Sequence, residues 1–130
     1  MGDRSQIAIK IPPDGKIYLY SHSGGADVYR ELQEALAKRA RWGDEEYLAR
    51  MIFCRMVAGD EEGETGYGIG LTAHEDVEHL IPVLDCDARR ITFEMPRWTH
   101  NQRALPDSVS FEQFVALPDP ARYVEPQEVT

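Results

Sequence analysis

Residues 7–20, IAIKIPPDGKIYLY, restrict the fold more than any other stretch of the chain. Ile7, Ile9 and Ile11 recur at every second position, and Ile17 and Leu19 resume that period after Pro12-Pro13-Asp14-Gly15. Period-two alternation on both sides of a turn signal is the pattern of a β-hairpin. The prolines fix φ and Gly15 tolerates positive φ, so the four residues between the runs carry turn chemistry. Tyr18 and Tyr20 then point to the face opposite Ile17 and Leu19, where they cover a second layer or line a surface.

The hairpin needs a partner for its isoleucine face, and the next segments offer one. In ADVYRELQEALAKRARW, Val28, Leu32, Ala35 and Leu36 fall at helical spacing, and Gly43 closes the run. Asp27 at its start and Lys38, Arg39 and Arg41 at its end suit the helix dipole. Asp44, Glu45 and Glu46 open a second helix with a wide apolar stripe of Leu48, Met51, Ile52 and Met56, finishing before Gly59. YGIGLTA, HLIPVLD and RITFEMP read as three more short strands, with DCDAR turning between the last two. Blocks of strands and helices predict an α+β single domain, an antiparallel sheet of about five strands with two helices on one face. That domain covers residues 1–105. Residues 106–130, with Pro106, Pro118, Pro120 and Pro126, read as an extended or mobile extension with one short helix at the capping-box pattern Ser110-Phe111-Glu112-Gln113.

Charge and composition remove several function classes. The formal net charge of −9 opposes binding to nucleic acid, whose affinity comes mainly from lysine and arginine displacing counterions. No apolar run approaches the roughly 20 residues of a membrane helix. The N-terminus has neither a signal-peptide core nor a myristoylation pattern, so the expectation is a cytoplasmic protein without membrane contact. Two cysteines, Cys54 and Cys86, are too few for a disulfide scaffold and are expected to be reduced.

Few residues suggest chemistry. Gly66, Gly68 and Gly70 lie inside a strand, not at the mouth of a helix as a dinucleotide loop requires; they leave one strand face bare, and a closely packed helix is the expected cover. His74 and His79 are five apart, which on a helix turns them about 140° from one another, so no metal ligand set is expected. The YSHSGGAD loop has Ser21, His22 and Ser23 at a strand-to-helix junction, but Asp27 at the helix entrance repels an anion, and adjacent residues rarely achieve nucleophile and base geometry. A capped helix with an incidental histidine fits that loop better. Neither catalytic residues nor a cofactor are expected. In MPRWTHNQR, Arg97, Trp98, His100 and Arg103 either hold a ligand by stacking and charge or cover the core edge.

In MGDR, IYLYSHSGG, YLARMIFCRM and GETGYGIGL the chain resembles a family of small uncharacterised proteins from bacteria and their phages, over residues 1–95. Where that family has tryptophan after the histidine, this chain has Ser23. The resemblance implies phage or prophage origin and no particular activity. The resulting expectation is a non-catalytic binding protein acting on a host protein, with a homo-oligomer or other protein partner engaged through Tyr18, Tyr20, His22, Arg97 and Trp98. The alternatives are a binder that sequesters a nucleotide-like signalling molecule through the same residues, and a small hydrolase.

Overall fold

The computed structural model describes residues 3–96 and 104–126. Its sheet is built from β1 (Ser5–Ile11), β2 (Gly15–Ser21), β3 (Tyr67–Gly70), β4 (Ile81–Asp85), β5 (Arg90–Glu94) and β6 (Val109–Ser110), and its helices are α1 (Asp27–Leu36), α2 (Glu45–Met56), α3 (Phe111–Val115) and α4 (Pro120–Val124). The α+β class is as expected. The sheet differs from the expectation: it has six strands in the order β3-β2-β1-β4-β5-β6, and it is mixed, because β1 and β4 run parallel. The reason is the connection through residues 71–80. It carries the chain from β3 at one edge across β2 and β1 to the far side of β1, and an entry from that end makes β4 parallel to its new neighbour.

β1 and β2 form the expected hairpin, with Ile7 opposite Leu19 and Ile9 opposite Ile17. That face, with Leu84, Ile91 and Phe93, is the floor of the main core. Val28, Tyr29, Leu32 and Leu36 of α1 and Leu48, Ile52 and Met56 of α2 pack onto it. The first helix is shorter than its sequence pattern. It ends at Leu36, and Arg39 and Arg41 adopt φ of 55° and 61°. The reversal returns Trp42 to the core, where its indole N–H donates to the Leu36 carbonyl and its ring meets Phe111 edge-on. α2 begins as expected, the Asp44 carboxylate accepting from the Tyr47 N–H.

The segment after residue 105 holds two short helices and a strand where one helix was expected. β6 pairs with β5, and the Ser110–Gln113 capping box is formed in both directions. Phe111, Phe114 and Val124 are fully or almost fully buried in the main core. Pro120 occupies the first turn of α4, where its missing N–H leaves no bond unmade, so the prolines bend this segment around α1.

Candidate interaction surface

The four helices of the described residues all contribute to the core on the isoleucine side of the sheet; among those residues the opposite face carries no helix. Register places Gln6, Ala8, Tyr18, Tyr20, Gly68, Gly70 and Val83 on that open face. Residues 71–80 cross it and are fixed to it. Val77 packs with Ala8, Tyr18, Ile81 and Val83. The His74 N–H donates to Gln6 Oε1 at 2.8 Å, the Glu78 N–H donates to the Arg4 carbonyl at 3.3 Å, and the Arg4 guanidinium pairs with Asp76 at 3.1 Å.

The expected binding residues separate in this frame. Tyr18 is only 7% exposed. Its hydroxyl donates to Glu94 Oε2 at 3.3 Å, and Lys16 pairs with the same carboxylate. Burial pushes the Tyr18 phenol above its ordinary value and the Glu94 charge adds to that, while the bond to Glu94 raises Lys16. Tyr18 therefore belongs to the packing under the crossover. Tyr20 and His22, two residues apart on one strand face, stay together and half-buried. The Tyr20 ring stacks on the His74 imidazole with centroids 4.7 Å apart and planes at 28°. The Tyr20 hydroxyl lies 3.3 Å from His22 Nδ1, and Arg4 Nε donates to that same nitrogen at 3.3 Å. Since a guanidinium only donates, Nδ1 accepts in the bond from Arg4. Arg97 and Trp98 lie outside the described residues.

Beside this ridge the sheet is bare. A Cβ added at Gly68 or Gly70 would meet nothing within 4 Å, so none of the described residues forms the helix expected over the glycines. Both long helices instead bury their apolar stripes on the isoleucine side, where the larger area is. Tyr67 at the start of β3 packs against that core, while Ile69 and Leu71 toward its far end remain 64% and 78% exposed.

The SHSGG loop serves the fold. Ser21 Oγ accepts from the Gly24 N–H at 2.9 Å, closing a turn. Gly25 has φ of 53°, its N–H donates to the Asp3 carbonyl at 2.8 Å, and a Cβ there would lie 2.1 Å from the Asp3 carboxylate. The glycines admit the N-terminal segment, and the serine hydroxyl is committed. His79 lies apart from His74: its Nδ1 is 2.7 Å from Glu125 Oε1 and its Nε2 is 2.6 Å from Asp3 Oδ1. Glu125 also accepts from the Leu80 N–H and the Tyr29 hydroxyl. The bond to Glu125, with Asp3 assisting against burial, pushes the His79 imidazole up to about 9. Both ring nitrogens are occupied, so His79 ties the start of the chain to the end of α4. Among the described residues no group of three or more His, Cys, Asp or Glu side chains could hold a metal ion.

That Arg4, Gln6, His74 and Asp76 gather around Tyr20 and His22 escapes sequence reading, because nothing local shows that residues 71–80 return over β1. Only the i, i+2 spacing of Tyr20 and His22 signals a shared face. No family model, curated protein or solved structure matches the chain.

Proposed function

We propose that this is a non-catalytic binding protein, phage- or prophage-encoded and cytoplasmic, that acts on a host protein through the β2–β3 end of the open face. One observation carries the reading: a braced ridge of Tyr20, His22 and His74 stands next to a strand whose open face has no side chains and, among the described residues, no covering layer. A half-exposed aromatic held in one orientation loses little entropy on docking, and such side chains dominate protein interfaces. A flat shelf matches a protein surface better than a small molecule, which needs a concavity that encloses most of it.

The test places a photo-crosslinking phenylalanine derivative at Tyr20 and, as control, at Arg39 beyond the C-terminal end of α1. A discrete host protein joined to position 20 and not to position 39 supports the reading. A thermal shift with any member of a nucleotide panel moves the assignment to the nucleotide-like ligand, and turnover of a panel compound moves it to an enzyme. Light scattering reads self-association of the same face.

A further inference from the structure

We propose that the outer edge of β3 is itself the docking element and that it takes an extended, lysine- or arginine-rich segment of the partner as a seventh strand. This deepens the binding reading above and depends on it.

β3 is the terminal strand of the sheet. The His22 N–H donates to the Gly66 carbonyl at 2.8 Å, and in an antiparallel pair the bonded positions alternate. Gly66, Gly68 and Gly70 thus direct their backbone groups to β2, while those of Tyr67, Ile69 and Leu71 point outward, with no partner among the described residues. Sheet edges are normally guarded by lysine, proline, a bulge or a covering element, because an open edge is a template for another strand. Among the described residues this edge carries no lysine, proline or covering element; what limits it is its length of four residues, YGIG, followed by the exposed Leu71. An incoming strand meets the aliphatic side chains of Ile69 and Leu71 on one face and bare glycine on the other, so its own alternate residues set the fit.

Charge selects the occupant. Between Arg55 and Arg89 the chain has no lysine or arginine, and Asp60, Glu61, Glu62 and Glu64 before the strand and Glu75, Asp76 and Glu78 after it are all exposed. Of these, Asp76 pairs with Arg4, Glu61 accepts from the Gly59 N–H, and Glu78 has a partner of its own. Residues 75–78 lie over β1, away from this edge, so Asp60, Glu61, Glu62 and Glu64 at the start of the strand set the local charge: a second copy of this chain would bring those carboxylates together, whereas a basic segment is attracted to them.

The probe is a capped ten-residue peptide alternating valine and lysine. Its controls are the same peptide with glutamate for lysine and the same peptide N-methylated at alternate residues. Binding is read by fluorescence anisotropy and by amide exchange. The expected result is salt-sensitive binding of the lysine peptide with slowed exchange at Tyr67, Ile69 and Leu71, at least tenfold weaker with either control. Ile69→Pro, which removes an outward N–H at an exposed position, is expected to weaken binding at least tenfold with an unchanged Tm. Equal binding of the N-methylated peptide, protection elsewhere, or no binding overturns the proposal, as does a dimer that Ile69→Pro dissociates. If Ile69→Pro still crosslinks the same host protein from position 20, the binding reading stands and the edge is not the site.

Discussion

Replacing His79 with glutamine tests whether the clasp between the chain's two ends stabilises the fold, and through which ionisation. Glutamine keeps a donor for Glu125 but does not titrate. The rise of His79 from 6.5 to about 9 corresponds to about 3 kcal/mol favouring the folded state when the imidazole is charged. The Asp3 carboxylate is 58% exposed, so its share is screened, and the Glu125 contact, 14% exposed, supplies most of the effect. About 2 kcal/mol is therefore expected. A folded-state value above the unfolded one means that the native protein binds more protons between pH 6.5 and 9. Stability from this group is fully present below pH 6.5 and falls as pH rises through about 9, by at most about 1.4 kcal/mol per pH unit. Glu125 acts at the other end. Burial opposes its ionisation, but the bonds from His79, the Leu80 N–H and Tyr29 hold it below the usual carboxylate range, so its contribution is lost in acid. Urea denaturation at pH 6.0, 7.5 and 8.5 measures both proteins below the range of the Tyr18 proton, and the slope that Cys86 begins to add near pH 8.5 is common to both and cancels in their difference. The wild type is expected to exceed His79→Gln by about 2 kcal/mol at pH 6.0, most of the gap closing by pH 8.5. Parallel pH dependences for the two proteins would refute the ionic clasp.

Phe111→Ala is expected to lose about 3–5 kcal/mol in urea melts, since Phe111 is fully buried against Trp42. Gly68→Thr should leave the Tm unchanged or raise it slightly, because its Cβ position is empty and threonine suits a strand; Gly66→Ala should cost about 1–2 kcal/mol because φ there is +102°. A thiol reagent at pH 8 is expected to label exposed Cys54 and spare Cys86, whose thiol burial pushes up to about 12, and to label both in denaturant.

What could be read from the sequence was local. The Ile7–Leu19 hairpin and the Asp44-capped helix follow from alternation and capping within about a dozen residues, and both stand in the structure. The end of α1 did not follow, because KRAR is good helix-forming sequence and only the pull of Trp42 toward Phe111 turns the chain out at Arg39 and Arg41. The sheet order failed for the same kind of reason: periodicity says which face a strand buries and nothing of which strand lies beside it. β6 is two residues long in a proline-rich stretch, too short to show any period.

The candidate surface sits between these cases. Tyr20 and His22 declared a common face by spacing, yet what distinguishes Tyr20 from buried Tyr18 is the path of residues 71–80, which places Val77 over one tyrosine and His74 against the other. The absence of lysine and arginine from residues 56–88 is equally visible in the sequence, where it has no direction. It gains direction only because the topology leaves the strand that follows Asp60–Glu64 as an open edge, so that these carboxylates stand at the start of a row of outward backbone donors and acceptors. An extended basic chain is the one occupant that answers both features at once, the backbone groups through its own amides and the field through its side chains.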